Sequence, residues 1–468
     1  MISLNILKQR ISEENWYSAI FTGSGLPQAK MRLVRAALHA FMSRYGYEDR
    51  PISVLHVPGR VEVLGNHTDY AGGMVLNFAS DRGFIVISAP SDARRLRMAE
   101  AGGDYADMEL SLDTLEVRAT SEGDRHWFIY PQRMAARTFA NFSAGNFHGI
   151  DAALASDLPP ASGMSSSSAL MVATFLVLAA HADVDRAPVL KALMREPLEL
   201  ATYLGCCENG QDFEFHGAPL KGDAGVGTFG GSQDHTAILT ATKAVLTLNR
   251  YCPAKWLEDV ALPDDVAFVV AFSGFPSPKT QAAKDAFNLL ARLSAEIPRA
   301  YNATRGARYG TAGEMLEISP AEFAEAVKGT ADKETPALVN RYAHFHEQNT
   351  VIIPQAVKAL RARDGAAFGK MVSRSHESCK RYLKNISAEI DAVVKCAREC
   401  GALGASGFGA GFGGSAYAVT ERRDAETFIE KWEKAYRAAC APLLPAAFFL
   451  CEPSAGATAM FEEKKSDM

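Results

Sequence analysis

The sequence PGRVEVLGNHTDY, residues 58–70 of the 468-residue chain, joins an apolar run to a cluster of polar side chains. Its first half alternates apolar and polar residues, which is the pattern of a β-strand. The cluster consists of hydrogen-bonding groups able to hold a polyhydroxylated substrate: Arg60, Asn66, His67 and Asp69. The stretch therefore predicts a strand that leads into a binding segment.

A second stretch, LPPASGMSSSSAL at residues 158–170, suits an anion site. Gly163 lacks a Cβ, so backbone can close on a ligand there, and the serines that follow begin an apolar run of helical length. A helix N-terminus carries free N–H groups and a partial positive charge, which favour phosphate. An ordinary serine-rich helix cap is the alternative interpretation. A Walker-type loop is excluded, because the chain has no G-x-x-x-x-G-K-[ST] arrangement.

Two glycine-containing stretches complete the pattern. SGFGAGFGGS at residues 406–415 places a run of glycines where backbone must approach a ligand closely. In GGSQDH at residues 230–235, Asp234 is either a turn residue or a carboxylate that accepts a hydroxyl proton during phosphoryl transfer. Together the four stretches indicate a pocket for phosphoryl transfer to a sugar.

Length and composition predict a large folded protein of two or three domains, with 48% apolar and 22% charged residues. The net charge of −5 gives no general electrostatic reason to bind nucleic acid or anionic membrane, and we expect neither partner. The N-terminus has no apolar run of signal-peptide length, and no stretch approaches about 18 uninterrupted apolar residues. We therefore expect a cytoplasmic protein, in which the cysteines act as small buried hydrophobes.

Hydrophobic spacing predicts a mixture of helices and strands along the whole chain. The predicted helices are 30–45, 165–182, 189–204, 279–297, 320–328, 355–363, 388–400 and 424–438. The predicted strands are 53–57, 61–64, 83–88, 237–248, 266–272 and 446–450. The mixture indicates an α/β or α+β protein, with a domain boundary between residues 234 and 266 and a ligand cleft between two closely packed domains.

Five stretches of the chain resemble motifs of the galactokinase family within the GHMP kinase superfamily. PGRVEVLGNHTDYAGG at residues 58–73 is similar to the family signature GRxNxIGEHTDY, and GGSQDH is similar to the GGxMDQ segment. LPPASGMSSSSAL resembles the superfamily's phosphate loop, and FGAGFGGS at residues 408–415 resembles its third motif. SRSHESCKRYLKNISAEID at residues 373–391 resembles SHxSLRDDYxVSxxELD. Because the motifs follow the family's order, the chain is identified as a member of this superfamily.

The resemblance implies an α+β, two-domain GHMP kinase fold that uses ATP and Mg²⁺. An N-terminal domain with a mixed sheet, residues 1–245, would carry the first two motifs. A C-terminal domain with a ferredoxin-like sheet, residues 246–468, would carry the glycine-rich third motif. The active site would lie between the two domains, and the protein would be a monomer or a weak homodimer.

The resemblance also implies roles for individual residues. Asp234 would be the catalytic base that faces the anomeric hydroxyl, and Arg60 would stabilise charge between that hydroxyl and the γ-phosphate. The implied sugar-binding residues are Asn66, His67, Asp69, Gly231 and Phe287. The implied nucleotide-binding residues are Gly163, Met164, Ser165, Ser166, Ser167, Ser168, Gly411 and Gly413. Ser167 and Glu208 would hold the metal ion.

Departures from the family pattern bear on the sugar. Asn66 stands where galactokinases carry a Glu that accepts a hydrogen bond from a sugar hydroxyl. Two like charges about 4 Å apart repel by roughly 4 kcal/mol at an effective dielectric near 20, so a Glu would exclude a uronic acid and Asn66 removes that penalty. Phe287 stands where a sugar-contacting Tyr is expected, although Tyr301 offers a competing alignment. Galacturonate kinases resemble this chain in lacking both the Glu and the Tyr.

Three functions are compatible with these residues. The leading hypothesis is an ATP-dependent sugar 1-kinase that phosphorylates the anomeric hydroxyl of galactose. The first alternative is the same chemistry on galacturonate or another C6-modified hexose. The second alternative is a non-catalytic sugar and ATP sensor, which the presence of both Arg60 and Asp234 disfavours.

Overall fold

Helices and strands alternate along the chain in the computed structural model, which describes residues 1–18, 20–21, 26–276, 281–330 and 334–461. The strands are β1 (Ile2–Ser3), β2 (Pro51–Leu64), β3 (Met74–Ser91), β4 (Arg95–Glu100), β5 (Met108–Ser111), β6 (Val117–Ala119), β7 (Gly149–Ser156), β8 (Phe213–Phe215), β9 (Ala218–Leu220), β10 (Val245–Arg250), β11 (Lys255–Ala261), β12 (Val266–Phe272), β13 (Gly404–Gly407), β14 (Ser415–Glu421), β15 (Ala447–Cys451), β16 (Pro453–Ser454) and β17 (Thr458–Ala459). The α-helices are α1 (Leu4–Arg10), α2 (Glu14–Ser18), α3 (Leu26–Tyr45), α4 (Ile129–Phe142), α5 (Ser166–Ala180), α6 (Pro188–Leu193), α7 (Pro197–Asn209), α8 (Gln233–Thr240), α9 (Gln281–Arg305), α10 (Pro320–Val327), α11 (Thr335–Glu347), α12 (Ile353–Arg361), α13 (Gly365–Ser378), α14 (Ala388–Glu399) and α15 (Ala425–Ala439).

The first sheet is built on the long antiparallel strands β2 and β3, with strand order β1-β2-β3-β7-β4-β5-β6. Strands β10 and β16 also pair with β3, and β17 pairs with β2. The two strands predicted at 53–57 and 61–64 form the single strand β2. Its pairing with β3 continues through register shifts between Pro58 and Arg60 and between Glu62 and Leu64. Such bulges re-aim side chains, and here they flank two residues of the site.

The second sheet has the antiparallel order β13-β14-β12-β15. The chain runs from β12 through helices to β13 and β14, and then through α15 to β15. This βαββαβ path with that strand order is the ferredoxin-like arrangement. The predicted α+β fold, with a mixed first sheet and a ferredoxin-like second sheet, is confirmed.

Strand pairing places the change of sheet later than the predicted boundary at residue 245. Strands β10 and β11 follow that boundary but extend the first sheet through β3. The second sheet begins at β12, so the chain passes from one sheet to the other between Ala261 and Val266. The final strands β16 and β17 then return to the first sheet.

The strand predicted at 237–248 is wrong over its first part. Helix α8 occupies Gln233–Thr240, and a strand begins only at Val245. A short apolar run is compatible with a buried helix as well as with a strand, and periodicity alone does not separate them. The predicted helix 279–297 corresponds to α9, although residues 279–280 lie outside the described residues.

Helix α5 is apolar almost all round because it is buried on most sides. It contacts β2, β3 and β7 of the first sheet as well as α4, α7 and α8. These contacts fix the N-terminus of α5 beside β2 and the turn that follows it. Across the described ranges, no helix has both the length and the hydropathy needed to cross a bilayer.

Candidate active site

A cleft of about 730 Å³ brings together segments that are far apart in the sequence. It is lined by Arg60 and Glu62 of β2, by the turn after β2, and by the first residues of α5 and α8. The loop between β13 and β14 contributes residues 409–412, and α9 contributes Lys284 and Phe287. Since these segments belong to both parts of the fold, the cleft lies between the two sheets.

The two predicted catalytic side chains are in direct contact. Arg60 Nε donates to Asp234 Oδ1 at 2.7 Å, and Arg60 Nη1 donates to the Gly163 carbonyl at 2.8 Å. Ser165 Oγ donates to the second carboxylate oxygen of Asp234. Burial alone would raise the pKa of Asp234, but the charge of Arg60 and the hydrogen bonds from Ser165 and Arg60 hold this pKa below its usual value. Asp234 is therefore an ionised acceptor.

The turn into α5 leaves the helix N-terminus uncapped. Gly163 and Ser165 both have left-handed backbone conformations, with φ of 78° and 57°. Ser165 is the N-cap residue, yet its side chain makes no cap hydrogen bond because it is directed to Asp234. The first-turn N–H groups of α5 thus keep their capacity to bind an anion. The predicted phosphate-binding serines, Ser165 to Ser168, all line the cleft.

Glu208 reaches the same end of α5 from α7. Ser168 Oγ donates to Glu208 Oε2 at 2.7 Å, and His235 Nε2 lies 3.0 Å from that oxygen. In the described part of the chain, no cluster of three or more His, Cys, Asp or Glu side chains is arranged to hold a metal ion. Mg²⁺ in phosphotransfer sites uses one or two carboxylates together with phosphate oxygens and water. The Glu208 carboxylate and the Ser167 hydroxyl, both in the cleft, fit that donor set.

His67 is a neutral residue held in one tautomer. Its Nε2 lies 3.1 Å from the Ala410 carbonyl, which can only accept, so Nε2 carries the proton. Its Nδ1 therefore accepts from the Tyr70 hydroxyl at 2.7 Å. Burial, together with the charge of Arg341, lowers the pKa of His67 to about 4. The ring lines the cleft with its centroid 5.3 Å from that of Phe287.

Asp69 and Gly231 lie next to each other in the cleft. Asp69 accepts a hydrogen bond from the Gln233 N–H at 3.3 Å, and burial raises its pKa to about 6. A Cβ on Gly231 would lie 2.1 Å from Asp69 Oδ2, so only glycine leaves room for this carboxylate. Both predicted residues line the cleft.

The glycine-rich loop lies close to the backbone of two neighbouring segments. A Cβ on Gly409 would lie 2.8 Å from the Gly163 carbonyl, and one on Gly411 would lie 2.4 Å from the Asn385 carbonyl. Gly409 and Gly411 also have positive φ, which favours glycine. The loop therefore closes one wall of the cleft by backbone alone.

Two predicted nucleotide-binding residues are placed elsewhere. Neither Met164 nor Gly413 is among the described residues that line the cleft. The Met164 side chain is fully buried in the main hydrophobic core, and its carbonyl accepts the Arg60 N–H at 3.1 Å. Met164 therefore positions Arg60 rather than facing a ligand.

Asn66, which is predicted to contact the sugar, directs its side chain to partners within the protein. Asn66 Nδ2 donates to Glu62 Oε1 and to the Gly409 carbonyl, both at 2.6 Å. Its Oδ1 accepts from Asn385 Nδ2 at 2.9 Å. Both amide hydrogens are used, and Asn66 is missing from the described residues that line the cleft, whereas Glu62 is among them. The carboxamide is directed into the protein because these partners surround it.

The structure favours Phe287 over Tyr301 as the aromatic residue that lines the cleft. Phe287 lines the cleft and packs near His67. Tyr301 belongs to a separate hydrophobic cluster, where its hydroxyl donates to Glu322 Oε1 at 3.0 Å. The alignment that places Phe287 at the family's Tyr position thus matches the geometry.

Comparisons with known proteins agree with this arrangement. The galactokinase galactose-binding signature matches residues 39–90, the GHMP kinase N-terminal domain matches residues 130–212, and the GHMP kinase C-terminal domain matches residues 356–438. A galactokinase of Roseiflexus sp. (strain RS-1) is 30% identical over 428 residues, which cover 89% of this chain and 94% of that protein. The chain belongs to the galactokinase family of the GHMP kinases.

Other relatives of this galactokinase-family chain span nearly its whole length. A galactokinase of Lactobacillus helveticus is 25% identical over 389 residues, covering 82% of this chain and 89% of that protein. The crystal structure of Lactococcus lactis galactokinase complexed with galactose has a TM-score of 0.72 at 23% identity and covers 90% of this chain and 98% of its own. The structure of Methanococcus jannaschii mevalonate kinase has a TM-score of 0.53 at 14% identity, covering 86% of this chain and 98% of its own. At these identities the two structures establish the shared fold.

Glu62 and Lys284 are two of the polar residues of this galactokinase-family cleft that sequence reasoning did not single out. Glu62 could have been found, because the family signature GRxNxIGEHTDY has Asn at that position. Lys284 gave no signal, because α9 reaches the cleft only through the tertiary structure; its Nζ donates to the Val226 carbonyl at 3.3 Å.

Proposed function

We propose that this protein transfers the γ-phosphate of ATP to the anomeric hydroxyl of galactose. The observation that carries the proposal is the contact between Arg60 and Asp234, at 2.7 Å, beside the uncapped, serine-rich start of α5. This juxtaposition puts a general base and a fixed cation next to a phosphate site. The galactokinases at 25% and 30% identity support galactose as the sugar.

Asp234 acts as the proton acceptor in the proposed reaction. As the anomeric oxygen forms its bond to the γ-phosphorus, the hydroxyl proton passes to the carboxylate, and the bond from phosphorus to the β,γ-bridging oxygen breaks to release ADP. Arg60 is held by Asp234 and by the Gly163 carbonyl, so its charge is already in place before the reaction begins. Fixed charge of this kind needs no reorganisation in the transition state.

The start of α5 binds the nucleotide phosphates in this proposal. Its free N–H groups and the hydroxyls of Ser166 and Ser167 are the donors. Glu208 and Ser167 hold Mg²⁺, which when bound neutralises charge on the phosphates. Ser168 keeps the Glu208 carboxylate directed to this end of the cleft.

The sugar side of the cleft is formed by His67, Asp69 and Phe287. The Asp69 carboxylate accepts hydrogen bonds from sugar hydroxyls, and Gly231 leaves room for that carboxylate. Phe287 contributes an apolar ring beside the neutral His67. A sensor without catalysis is disfavoured, because binding alone would not require the Arg60–Asp234 contact.

The proposal is tested by ADP release from ATP in the presence of galactose, galacturonate, glucuronate, N-acetylgalactosamine, glucose and mannose. Galactose is expected to give the highest kcat/KM. A higher kcat/KM with galacturonate would replace galactose by the uronate alternative. If no sugar stimulates ADP release, the sensor alternative stands.

The role of Asp234 is tested by Asp234→Asn, which keeps the size of the side chain but removes its basicity. Turnover is expected to fall by about 10²- to 10⁴-fold. Nucleotide binding, measured by calorimetry, should change little because the phosphate donors belong to α5. Asp264→Asn is the matched control, since that side chain is exposed and pairs only at the surface with Arg363. Full turnover in Asp234→Asn would assign the base elsewhere.

A further inference from the structure

Two residues of the signature segment are exchanged relative to the family pattern. GRxNxIGEHTDY has Asn two residues after its Arg and Glu six residues after it, whereas this chain has Glu62 and Asn66 at those places. The two side chains touch, with Asn66 Nδ2 donating to Glu62 Oε1 at 2.6 Å. A carboxylate and an amide form a matched acceptor and donor in either order. The exchange therefore keeps the pair and moves the negative charge from one partner to the other.

The exchange changes which partner faces the cleft. Both amide hydrogens and the amide oxygen of Asn66 form hydrogen bonds with other groups of the protein. Glu62 lines the cleft, on the same strand as Arg60 and two residues further along. Residues two apart on a strand lie on one face, so the Glu62 carboxylate is presented beside the catalytic arginine.

Glu62 still has acceptor capacity. One oxygen accepts from Asn66 and the other from Gln233 Nε2 at 2.7 Å, while a carboxylate offers about four lone-pair sites. Gln233 also lines the cleft, and its buried Oε1 has no hydrogen-bond partner within the described structure. Buried acceptors of this kind are normally satisfied by a donor. Sugar hydroxyls are such donors, whereas Mg²⁺ and the phosphate oxygens of ATP are not.

We propose that Glu62, supported by Gln233, binds a hydroxyl of the sugar and selects neutral sugars over uronic acids. The inference rests on the proposed function and adds a specificity-determining residue to it. The cleft keeps a carboxyl group even though Asn66 replaces the family's Glu. Because burial raises the pKa of Glu62 to about 7, the repulsion of a uronate is retained from this different position above that pH, and the sugar panel is measured at about pH 8. The loss of the Glu at residue 66 is then no sign of a uronate kinase.

The test combines Glu62→Gln with a panel of sugars: galactose, its 2-, 3-, 4- and 6-deoxy analogues, and galacturonate. Gln keeps the length of the side chain and can still bond to Asn66 and Gln233, but it carries no charge. With galactose, kcat/KM is expected to fall about 10- to 100-fold, mainly through KM, while KM for ATP stays unchanged. One deoxy analogue should lose most of its disadvantage relative to galactose, because the hydroxyl it lacks no longer has its partner. The ratio of galacturonate to galactose activity should rise by about tenfold or more.

Controls separate this inference from stability effects and from the proposed function. Glu433→Gln alters a surface pair with Arg437 and should leave every ratio unchanged. A uniform loss with all sugars in Glu62→Gln, with no change in the deoxy or uronate ratios, would overturn the sugar contact. If the unsubstituted protein releases no ADP, the proposed function fails; calorimetric binding of galactose to both proteins then decides the contact, and equal affinities would overturn it.

Discussion

Gly231 illustrates how closely a single residue controls the shape of the cleft. Its missing Cβ leaves space for the Asp69 carboxylate, whose own position is fixed by the Gln233 N–H. The sequence around Gly231 does not reveal this contact, because a glycine followed by Ser and Asp is typical of a turn. Gly231 and Asp69 meet because α8 begins beside the turn that follows β2.

Gly231→Ala should therefore act on the sugar more than on the nucleotide. The added methyl group would lie within 2.1 Å of Asp69 Oδ2, so the carboxylate must move. We expect KM for galactose to rise by about tenfold or more, with KM for ATP within about twofold. Steady-state kinetics in both substrates measures this. Gly329→Ala is the control, because a Cβ there meets no atom within 4 Å. Equal changes in both KM values would contradict a local effect on Asp69.

Helices α5, α7 and α8 act together at the scale of secondary structure. Each brings one polar residue to the end of the cleft beside the start of α5: Ser168 from α5, Glu208 from α7 and His235 from α8. Helix α5 and its serines followed from hydrophobic spacing. Helix α8 did not, because its apolar residues have no clear helical period and Asp234 resembled a turn residue. The contact among the three helices depends on packing between segments that are far apart in sequence.

Glu208→Gln tests whether the Glu208 carboxylate at this meeting point of three helices binds the metal ion. The amide is a weaker ligand for Mg²⁺ than the carboxylate, since Mg²⁺ prefers charged oxygen ligands. The Mg²⁺ concentration for half-maximal ADP release is expected to rise by about tenfold, and saturating Mg²⁺ should restore part of the rate. Glu199→Gln, on the same helix but outside the cleft lining, is the control. An unchanged Mg²⁺ requirement would remove Glu208 from the metal site.

The whole molecule carries a stability cost in its cleft. Burial raises the pKa of Glu62 to about 7, with Arg60 opposing, and raises that of Asp69 to about 6. A carboxyl whose pKa is higher in the folded state binds more protons there than in the unfolded chain. Stability therefore falls as pH rises from the ordinary carboxyl range toward about 7. For Glu62, the rise from 4.5 to about 7 corresponds to roughly 3 kcal/mol.

Glu62→Gln should remove the Glu62 share of this pH dependence. Its Tm relative to the unsubstituted protein is expected to increase between pH 5 and pH 7.5, as measured by scanning calorimetry. The groups that interact with Glu62 do not titrate in this range. Arg60 stays charged, Asp234 stays ionised, and burial keeps Tyr70, Tyr417 and Cys379 neutral. Glu433→Gln should show no such trend. A constant difference in Tm across the range would contradict the raised pKa of Glu62.

The amino-acid sequence by itself determined the family and the two-sheet fold. It also singled out Arg60, Asp234 and the serines of α5 as candidate site residues, because each of them lies in a short motif that can be recognised without the tertiary structure. Tertiary structure alone decided which side chains face the cleft. Register shifts in β2 and the surrounding donors and acceptors direct Asn66 into the protein and leave Glu62 lining the cleft. Only the tertiary structure likewise shows that Phe287, and not Tyr301, lines the cleft. Both rings belong to α9, and the helical sequence alone does not tell which of them faces the cleft. Orientation is a property of the packed neighbours, and these come from distant parts of the sequence.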